Sequence, residues 1–158
     1  MLSPLARASL LVAPALDSMA AADSQPDHIL YDGTCALCHG AVKFAMKRDP
    51  SGSEFRFAPL QGSTCQTLID PARRAQIPDS FVVLKNSGEL LIRSEAAVQI
   101  LRRIGGGWRA LGNIVAIVPR PIRDAAYNAV AAVRYRIFGR KDDLCPVMTP
   151  DQRRRFDP

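Results

Sequence analysis

Two cysteines three residues apart, Cys35 and Cys38, are the side chains in this chain best suited to chemistry. They follow a short apolar run at residues 28–31 and a turn at residues 32–34, and they precede a helical pattern. A strand that turns into a helix places Cys35 at the helix N-terminus, where unpaired N–H groups and the helix dipole stabilise a thiolate. Cys38 lies one turn further, within reach for a disulfide. The spacing therefore predicts a redox-active dithiol.

The two cysteines have predicted roles in disulfide exchange, and the residues beside them have a structural and a chemical interpretation. Cys35 is the predicted nucleophile, and Cys38 is predicted to resolve the mixed disulfide that Cys35 forms with a substrate. Asp32 is interpreted either as a turn or capping residue or as a buried carboxylate that takes the proton of Cys38. Thr34 is interpreted as the helix N-cap or as a hydroxyl that approaches the sulfur.

Zinc and haem sites are the alternatives for the same cysteines. Zinc usually needs four ligands in paired clusters, whereas Cys65 and Cys145 are isolated in the sequence. Cys35 to His39 also matches the C-x-x-C-H pattern of covalent haem attachment, which requires export and a second axial ligand. The strand–turn–helix context favours disulfide exchange, so no metal and no cofactor is predicted. His39 is then expected on the helix surface, and Cys65 and Cys145 are read as structural thiols, with Cys145 as an alternative third redox partner.

The elements that must position these residues alternate between strands and helices. Strands are predicted at residues 27–31, 55–58, 80–84 and 89–92 from apolar runs bounded by turn residues. Helices are predicted from Cys35 to the turn at residues 49–52, within 60–70, and over 95–104, 108–118 and from Pro121 to about 138. This order is that of an α/β thioredoxin-like fold, a central mixed sheet flanked by helices, with a helical C-terminal extension.

The C-terminal extension carries three further expectations. Ser94 is predicted to cap the helix 95–104, and the glycines at 105–107 are predicted to end it. Apolar residues at helical spacing in the last long helix predict its packing face, namely Ala126, Val130, Val133 and Ile137. The polar tail from Arg140 is predicted to be a loop.

Length and composition indicate one globular domain. The chain has 158 residues with 47% hydrophobic and 23% charged residues, which is ordinary for a globular protein. No run approaches the eighteen or so apolar residues of a membrane-spanning helix. Residues 28–158 are assigned to the domain, and residues 1–27 to a disordered leader or weak targeting segment. A cytoplasmic location is predicted, with a mitochondrion or plastid as the alternative if the leader is a transit peptide.

The net charge of +6 is concentrated in the C-terminal half. Residues 1–92 contain eight Lys and Arg against nine Asp and Glu, whereas residues 93–158 contain thirteen against six. Acidic partners or a membrane surface are one interpretation, and arginines that solvate amphipathic helices are the other. The scattered spacing of the arginines favours the second. Aromatic residues do not alternate with basic ones, so no nucleic-acid partner is predicted.

The chain resembles the DCC family of thiol-disulfide oxidoreductases, whose Asp-x-x-Cys-x-x-Cys motif matches Asp32, Cys35 and Cys38. The resemblance extends over most of residues 28–156. It includes the segments Phe57-Ala58-Pro59-Leu60-Gln61, Gly106-Gly107-Trp108, Pro121-Ile122-Arg123-Asp124 and Arg134-Tyr135-Arg136-Ile137-Phe138-Gly139.

The resemblance implies a thioredoxin-like protein-disulfide oxidoreductase with Cys35 as the attacking and Cys38 as the resolving thiol. Thioredoxin-like domains place a cis-proline before the third strand, facing the dithiol, which here is Pro78. Ile77, Pro78 and Thr34 are therefore the predicted substrate contacts, although most X-Pro bonds are trans.

The predicted function is thiol–disulfide exchange of the reductase type. The expected partners are a protein or small-molecule disulfide as substrate and a dithiol or glutathione as electron donor. The alternative is a non-catalytic module in which the dithiol senses oxidation or stabilises an interaction domain.

Overall fold

The computed structural model describes residues 25–77, 81–138 and 149–158. The predicted alternation of strands and helices is present in these residues, with strand and helix ends shifted by a few positions. The elements are β1 (Asp27–Tyr31), α1 (Ala36–Arg48), β2 (Phe55–Pro59), α2 (Ser63–Leu68), α3 (Pro71–Arg74), β3 (Val82–Leu84), β4 (Leu90–Ile92), α4 (Ser94–Ile104), α5 (Gly106–Ile117), α6 (Arg120–Phe138) and α7 (Pro150–Arg153).

The four described strands form one mixed sheet in the order β2-β1-β3-β4. Strand β1 pairs in parallel with β2, with Ile29 opposite Phe57, and antiparallel with β3, with Ile29 opposite Val83. Strands β3 and β4 form an antiparallel hairpin. The parallel pair is joined through α1, which is the crossover that a parallel connection needs. This sheet, with helices packed on it, is the predicted thioredoxin-like α/β fold.

Side chains of β1 alternate between two hydrophobic clusters, one on each face of the sheet. Ile29 and Tyr31 face a cluster that contains both Cys35 and Cys38 and the apolar face of α1. Leu30 faces the second cluster, which includes Cys65 and Val82. The dithiol therefore lies at the edge of the main core, where β1 ends and α1 begins.

Asp49 ends helix α1 and turns the chain into β2. Its buried carboxylate accepts hydrogen bonds from the backbone N–H groups of Gly52, Ser53, Glu54 and Phe55. A buried carboxylate with this many donors is stabilised in the interior, and it satisfies N–H groups that the turn leaves unpaired. The turn predicted at residues 49–52 is confirmed.

The start of the C-terminal extension differs from the prediction. Ser94 is the first residue of α4 rather than its N-cap, and its hydroxyl donates a hydrogen bond to the Asp124 carboxylate on α6. The hydroxyl is thus used in a contact between helices instead of at its own helix end. Only Gly105, at a φ of 79° that suits glycine, separates α4 from α5, which begins at Gly106.

The packing face predicted for the last long helix is wrong. Val130, Val133 and Ile137 are among the exposed large apolar side chains, with Ile137 67% exposed. Helix α6 instead packs through Tyr127, Ala131 and Arg134, which line a cavity together with residues of α1 and α4, and Val130 is the member of the predicted face that also borders this cavity. The periodicity indicated a helix correctly, but it could not decide which of two helix faces meets the sheet domain.

The described part of the tail, residues 149–158, contains a short helix and packs on the sheet, whereas the prediction from Arg140 was a loop. Residues 149–158 begin with a short helix capped by Thr149, and they continue alongside β2. The Phe57 N–H donates to the Arg155 carbonyl over 2.8 Å, and the Phe156 ring stacks on Phe57 with 5.1 Å between centroids. None of the described helices is long and apolar enough to cross a membrane.

Candidate active site

Cys35 is the N-cap residue of helix α1. Its Sγ accepts a hydrogen bond from the backbone N–H of Cys38 over 3.4 Å, and its own N–H donates to the Asp32 carbonyl. The cap predicted as Thr34 is therefore displaced by one residue. An N–H at a helix N-terminus that points at sulfur stabilises negative charge developing there.

Both thiols are free and buried, Cys35 at 1% exposure and Cys38 at 5%. They pack against Tyr31, Val42 and Phe81 at the edge of the main core. A thiolate attacks a disulfide along the axis of the S–S bond, so the substrate must come into line with the attacking sulfur. Because both sulfurs are buried, the neighbouring side chains must move before this can happen.

The Cys38 thiol is held in its protonated form. Burial raises its pKa from an ordinary 9.0 to about 12, and the hydrogen bond and the charge of Cys35 act in the same direction. Arg134 and a hydrogen bond with the backbone of Asp32 lower the Cys38 pKa but do not offset the burial. The two sulfurs thus have different environments, although they are one helical turn apart.

Asp32 is buried beside the dithiol, and its carboxylate has partners on two elements. Oδ1 accepts hydrogen bonds from the N–H and the hydroxyl of Thr34, each over 2.9 Å. Oδ2 lies 3.9 Å from Nη2 of Arg134. The exposed Thr34 is therefore turned toward Asp32, and the hydroxyl that was expected near the sulfur is bound to a carboxylate instead.

Arg134 is a charged residue of this site that the sequence analysis treated only as part of a resemblance segment. It lies on α6, about a hundred residues after the cysteines, and it is 4% exposed. Three residues after Ala131 and seven after Tyr127, it shares their packing face. The sequence contains Arg134, but its position becomes informative only when the face of α6 that packs against the domain is known.

His39 is buried, contrary to the expected surface position. Its Nε2 donates to the Gly33 carbonyl over 2.8 Å, and its ring packs edge-on against Tyr31 with 5.4 Å between centroids. The histidine ties the first turn of α1 to the loop that carries Asp32. The motif suggested a polar surface residue because spacing alone does not show that the loop folds back over the helix.

An apolar cavity of about 250 Å³ adjoins Cys38 between α1, α4 and α6. Its lining includes Leu37, Phe81, Ile100 and Val130, with Tyr127 and Arg134 as the polar members. The Tyr127 hydroxyl accepts a hydrogen bond from the Phe81 N–H over 3.1 Å.

The remaining predicted residues are not assembled with the dithiol in the described part of the chain. Ile77 packs against the second cluster, on the sheet face opposite the thiols, and Cys65 belongs to that cluster. Pro78 and Cys145 lie outside the described residues. Within residues 25–77, 81–138 and 149–158, no three His, Cys, Asp or Glu side chains are grouped so that they could hold a metal ion.

Comparison with known proteins gives matches over most of the chain. The family model of DCC1-like thiol-disulfide oxidoreductases matches residues 29–140. The uncharacterized protein YuxK of Bacillus subtilis is 39% identical over 134 residues, which cover 82% of this chain and 93% of YuxK. The chloroplastic DCC family protein At1g52590 of Arabidopsis thaliana is 37% identical over 114 residues, which cover 72% of this chain and 66% of that protein. No solved structure matches significantly.

Proposed function

Because this chain belongs to the DCC1-like thiol-disulfide oxidoreductase family, we propose that it reduces disulfides through a Cys35–Cys38 dithiol. The observation that carries the proposal is the cap geometry of α1. Cys35 occupies the N-cap position, and its sulfur accepts the N–H of Cys38. This arrangement supports a nucleophilic thiolate at the helix end with a second thiol one turn away.

In the first step, the Cys35 thiolate attacks one sulfur of the substrate disulfide. The substrate S–S bond breaks, its other sulfur leaves as a thiolate and takes a proton from solvent, and a mixed disulfide joins Cys35 to the substrate. Thr34 is the exposed residue beside this sulfur, and we assign it together with Pro78 to substrate contact, whereas Ile77 packs on the opposite face of the sheet.

In the second step, the Cys38 thiol loses its proton and attacks the Cys35 sulfur. The mixed disulfide breaks, the second substrate thiol leaves, and the Cys35–Cys38 disulfide forms, so that two electrons pass from the dithiol to the substrate. Since burial keeps Cys38 protonated, this step needs a base, and the buried Asp32 carboxylate is the proposed acceptor. A dithiol or glutathione donor then restores the reduced pair.

A reductase needs a compartment that keeps its thiols reduced, and we propose the cytoplasm. The Arabidopsis relative is named chloroplastic, so a plastid is the alternative location, with a mitochondrion as the other destination of a transit peptide. Fluorescent fusion of the whole chain and of residues 28–158 distinguishes a destination set by the leader from one that does not depend on it.

The proposed activity is tested by reduction of insulin disulfides with dithiothreitol as the donor. Cys35→Ser is expected to abolish the activity above background. Cys38→Ser, incubated with insulin without dithiothreitol, is expected to accumulate a mixed disulfide with the substrate. Cys65→Ser, which removes another buried free thiol, is the matched control and should keep the activity. Full activity of Cys35→Ser would exclude this chemistry.

Burial of both sulfurs supports a second candidate, a redox-sensing module without turnover. In that case formation of the disulfide changes the conformation, and no substrate is released. The sensor predicts that Cys35→Ser shifts the thermal unfolding midpoint while insulin reduction is absent in the native chain as well. The reductase proposal predicts that the native chain reduces insulin and that Cys35→Ser loses this activity without a shift of the unfolding midpoint.

A further inference from the structure

The exposed apolar side chains of this protein are concentrated on the C-terminal helices. Among the described residues, nine large apolar side chains are exposed, and eight of them lie between Leu111 and Ile137. The ninth is Leu68 on α2. Single exposed apolar residues need no explanation, but a contiguous set marks an interaction surface.

One group forms a continuous stripe along α6. At 3.6 residues per turn its members fall on one side of the helix, over a length of about 22 Å. The α6 stripe consists of Ile122, Ala126, Val130, Val133 and Ile137, all exposed. The helix already packs on the domain through Tyr127 and Arg134, and Val130 is the stripe member that also lines the cavity there, so the rest of the stripe is an apolar face that the domain leaves exposed.

The other group lies at the end of α5, just before the junction with α6. This α5 tip consists of Ile114, Ile117 and Val118, and Ile117 is 82% exposed. Ile122 follows Ile117 by five positions, so the tip and the stripe adjoin across the junction.

The charges on these helices are almost entirely positive. Residues 106–138 contain five arginines and one acidic residue, Asp124, whose carboxylate pairs with Arg120. Arg134 is buried, whereas Arg109 and Arg136 are exposed. From their helical positions, Arg123 and Arg136 fall on opposite edges of the α6 stripe. No acidic residue follows Asp124 within the helix.

This charge pattern indicates which partner covers the α6 stripe, a second copy of the chain or an anionic surface. Neither flank of the α6 stripe carries an acidic residue, so two copies packed through their stripes would offer no negative charge to pair with the arginines at its edges. An apolar helix face with arginine edges matches the pattern of helices that lie in a membrane interface. Anionic headgroups supply the missing negative charge.

We propose that the α6 stripe and the α5 tip dock this protein on the surface of an anionic lipid bilayer. The isoleucines insert among the acyl chains near the headgroups, and the arginines contact the phosphates. The cavity beside Cys38 shares Val130 with the stripe, so docking places the dithiol close to the membrane surface. The inference goes beyond disulfide exchange, because vesicle binding requires no thiol.

The test is co-sedimentation of the full chain with vesicles. Binding is expected to vesicles of phosphatidylglycerol and phosphatidylcholine, to weaken as sodium chloride screens the charges, and to be absent with phosphatidylcholine alone. Ile117→Asn and Ile137→Asn should each weaken binding about tenfold. Arg136→Gln should weaken it about fivefold. Leu68→Asn, the matched control, should bind as the native chain does.

Four results would overturn the proposal. Equal binding to both vesicle types would show that anionic headgroups are not what the protein recognises. A loss in Leu68→Asn equal to that in Ile137→Asn would show that this surface is not the contact. Sensitivity to Arg136→Gln without sensitivity to either isoleucine would indicate a purely electrostatic contact with a polyanion. A dimer in light scattering that Ile137→Asn dissociates would assign the stripe to a second copy. Vesicle binding is measured on Cys35→Ser as well, which separates a failure here from a failure of the proposed reductase activity.

Discussion

At the scale of single residues, the ionisation of Cys38 is the point at which the proposed reaction is most constrained. A thiol whose pKa is about 12 is almost wholly protonated near neutral pH, and its thiolate is the reactive form. The groups that face Cys38 from the packed elements are Cys35, Asp32 and Arg134. Of these, Arg134 is the cation that favours the thiolate. A distant helix therefore contributes to the second step of exchange.

Arg134→Met is expected to raise the Cys38 pKa further and to slow closure of the Cys35–Cys38 disulfide at neutral pH. A change of one pKa unit corresponds to about tenfold in thiolate population. The rate of ring closure from a preformed mixed disulfide, measured against pH, should shift to higher pH. Arg134→Lys should restore most of the native profile, and Arg136→Met, an exposed arginine on the same helix, should not change it. An unaltered profile in Arg134→Met would remove this arginine from the mechanism.

Asp32→Asn is expected to slow the second step because an amide cannot accept the Cys38 proton. General base catalysis contributes about a hundredfold or more, so mixed disulfide should accumulate while the first step proceeds. Rapid quench with alkylation separates the two steps. Equal slowing of both steps would instead indicate that Asp32 acts only by shaping the loop with Thr34.

At the scale of elements, the dithiol is positioned by the two ends of α1. The N-terminus is held by the Cys35 cap and by His39 bound to Gly33, and the C-terminus is held by Asp49. Asp49 also receives the tail, because Arg155 donates to its backbone carbonyl. The helix that presents the thiols is thus fixed to the sheet at both ends.

Asp49→Ala is expected to lower the free energy of unfolding by about 3 kcal/mol, since it leaves several buried N–H groups without an acceptor. Urea denaturation followed by circular dichroism measures the loss. Asp70→Ala is the control, because Asp70 caps the exposed helix α3 and should cost about 1 kcal/mol. A smaller loss for Asp49→Ala than for Asp70→Ala would contradict the role given to Asp49.

At the scale of the whole molecule, the C-terminal residues complete the domain. The tail extends the sheet beside β2, Phe156 stacks on Phe57 and meets Tyr31 edge-on, and Asp157 pairs with Arg56. Chain ends that are both paired and packed contribute to global stability. The tail therefore belongs to the structural unit that contains the active site.

Phe156→Ala is expected to destabilise the protein by about 3 kcal/mol, because the aromatic ring packs against the main core. Leu68→Ala, the loss of an apolar residue that is 41% exposed, should change stability by less than about 0.5 kcal/mol. Denaturant midpoints compare the two variants. Similar midpoints for both would show that the tail is not part of the cooperative unit.

The Arg56–Asp157 pair predicts a pH dependence at the acid end. Hydrogen bonding to Arg56 holds the Asp157 pKa below its ordinary 3.8, so the folded carboxylate binds its proton less readily than the unfolded one. The pair's contribution, about 1 kcal/mol, is then fully present above about pH 5 and is lost as the pH falls through the lowered folded pKa. The stability difference between the native chain and Asp157→Asn should shrink toward zero below about pH 4. A stability difference that grows as the pH falls would contradict this prediction.

The amino-acid sequence by itself determined the element order, the position of Cys35 and Cys38 at the start of a helix, and the family. These follow from local properties, namely apolar periodicity, turn residues and a short motif, which act within a few residues of each other. Tertiary structure alone decided that Arg134 meets Asp32, that His39 is buried, that the stripe on α6 faces outward and that Phe156 returns to β2. Those outcomes depend on which surfaces of distant segments come together, and that choice is made by the packing of the whole chain.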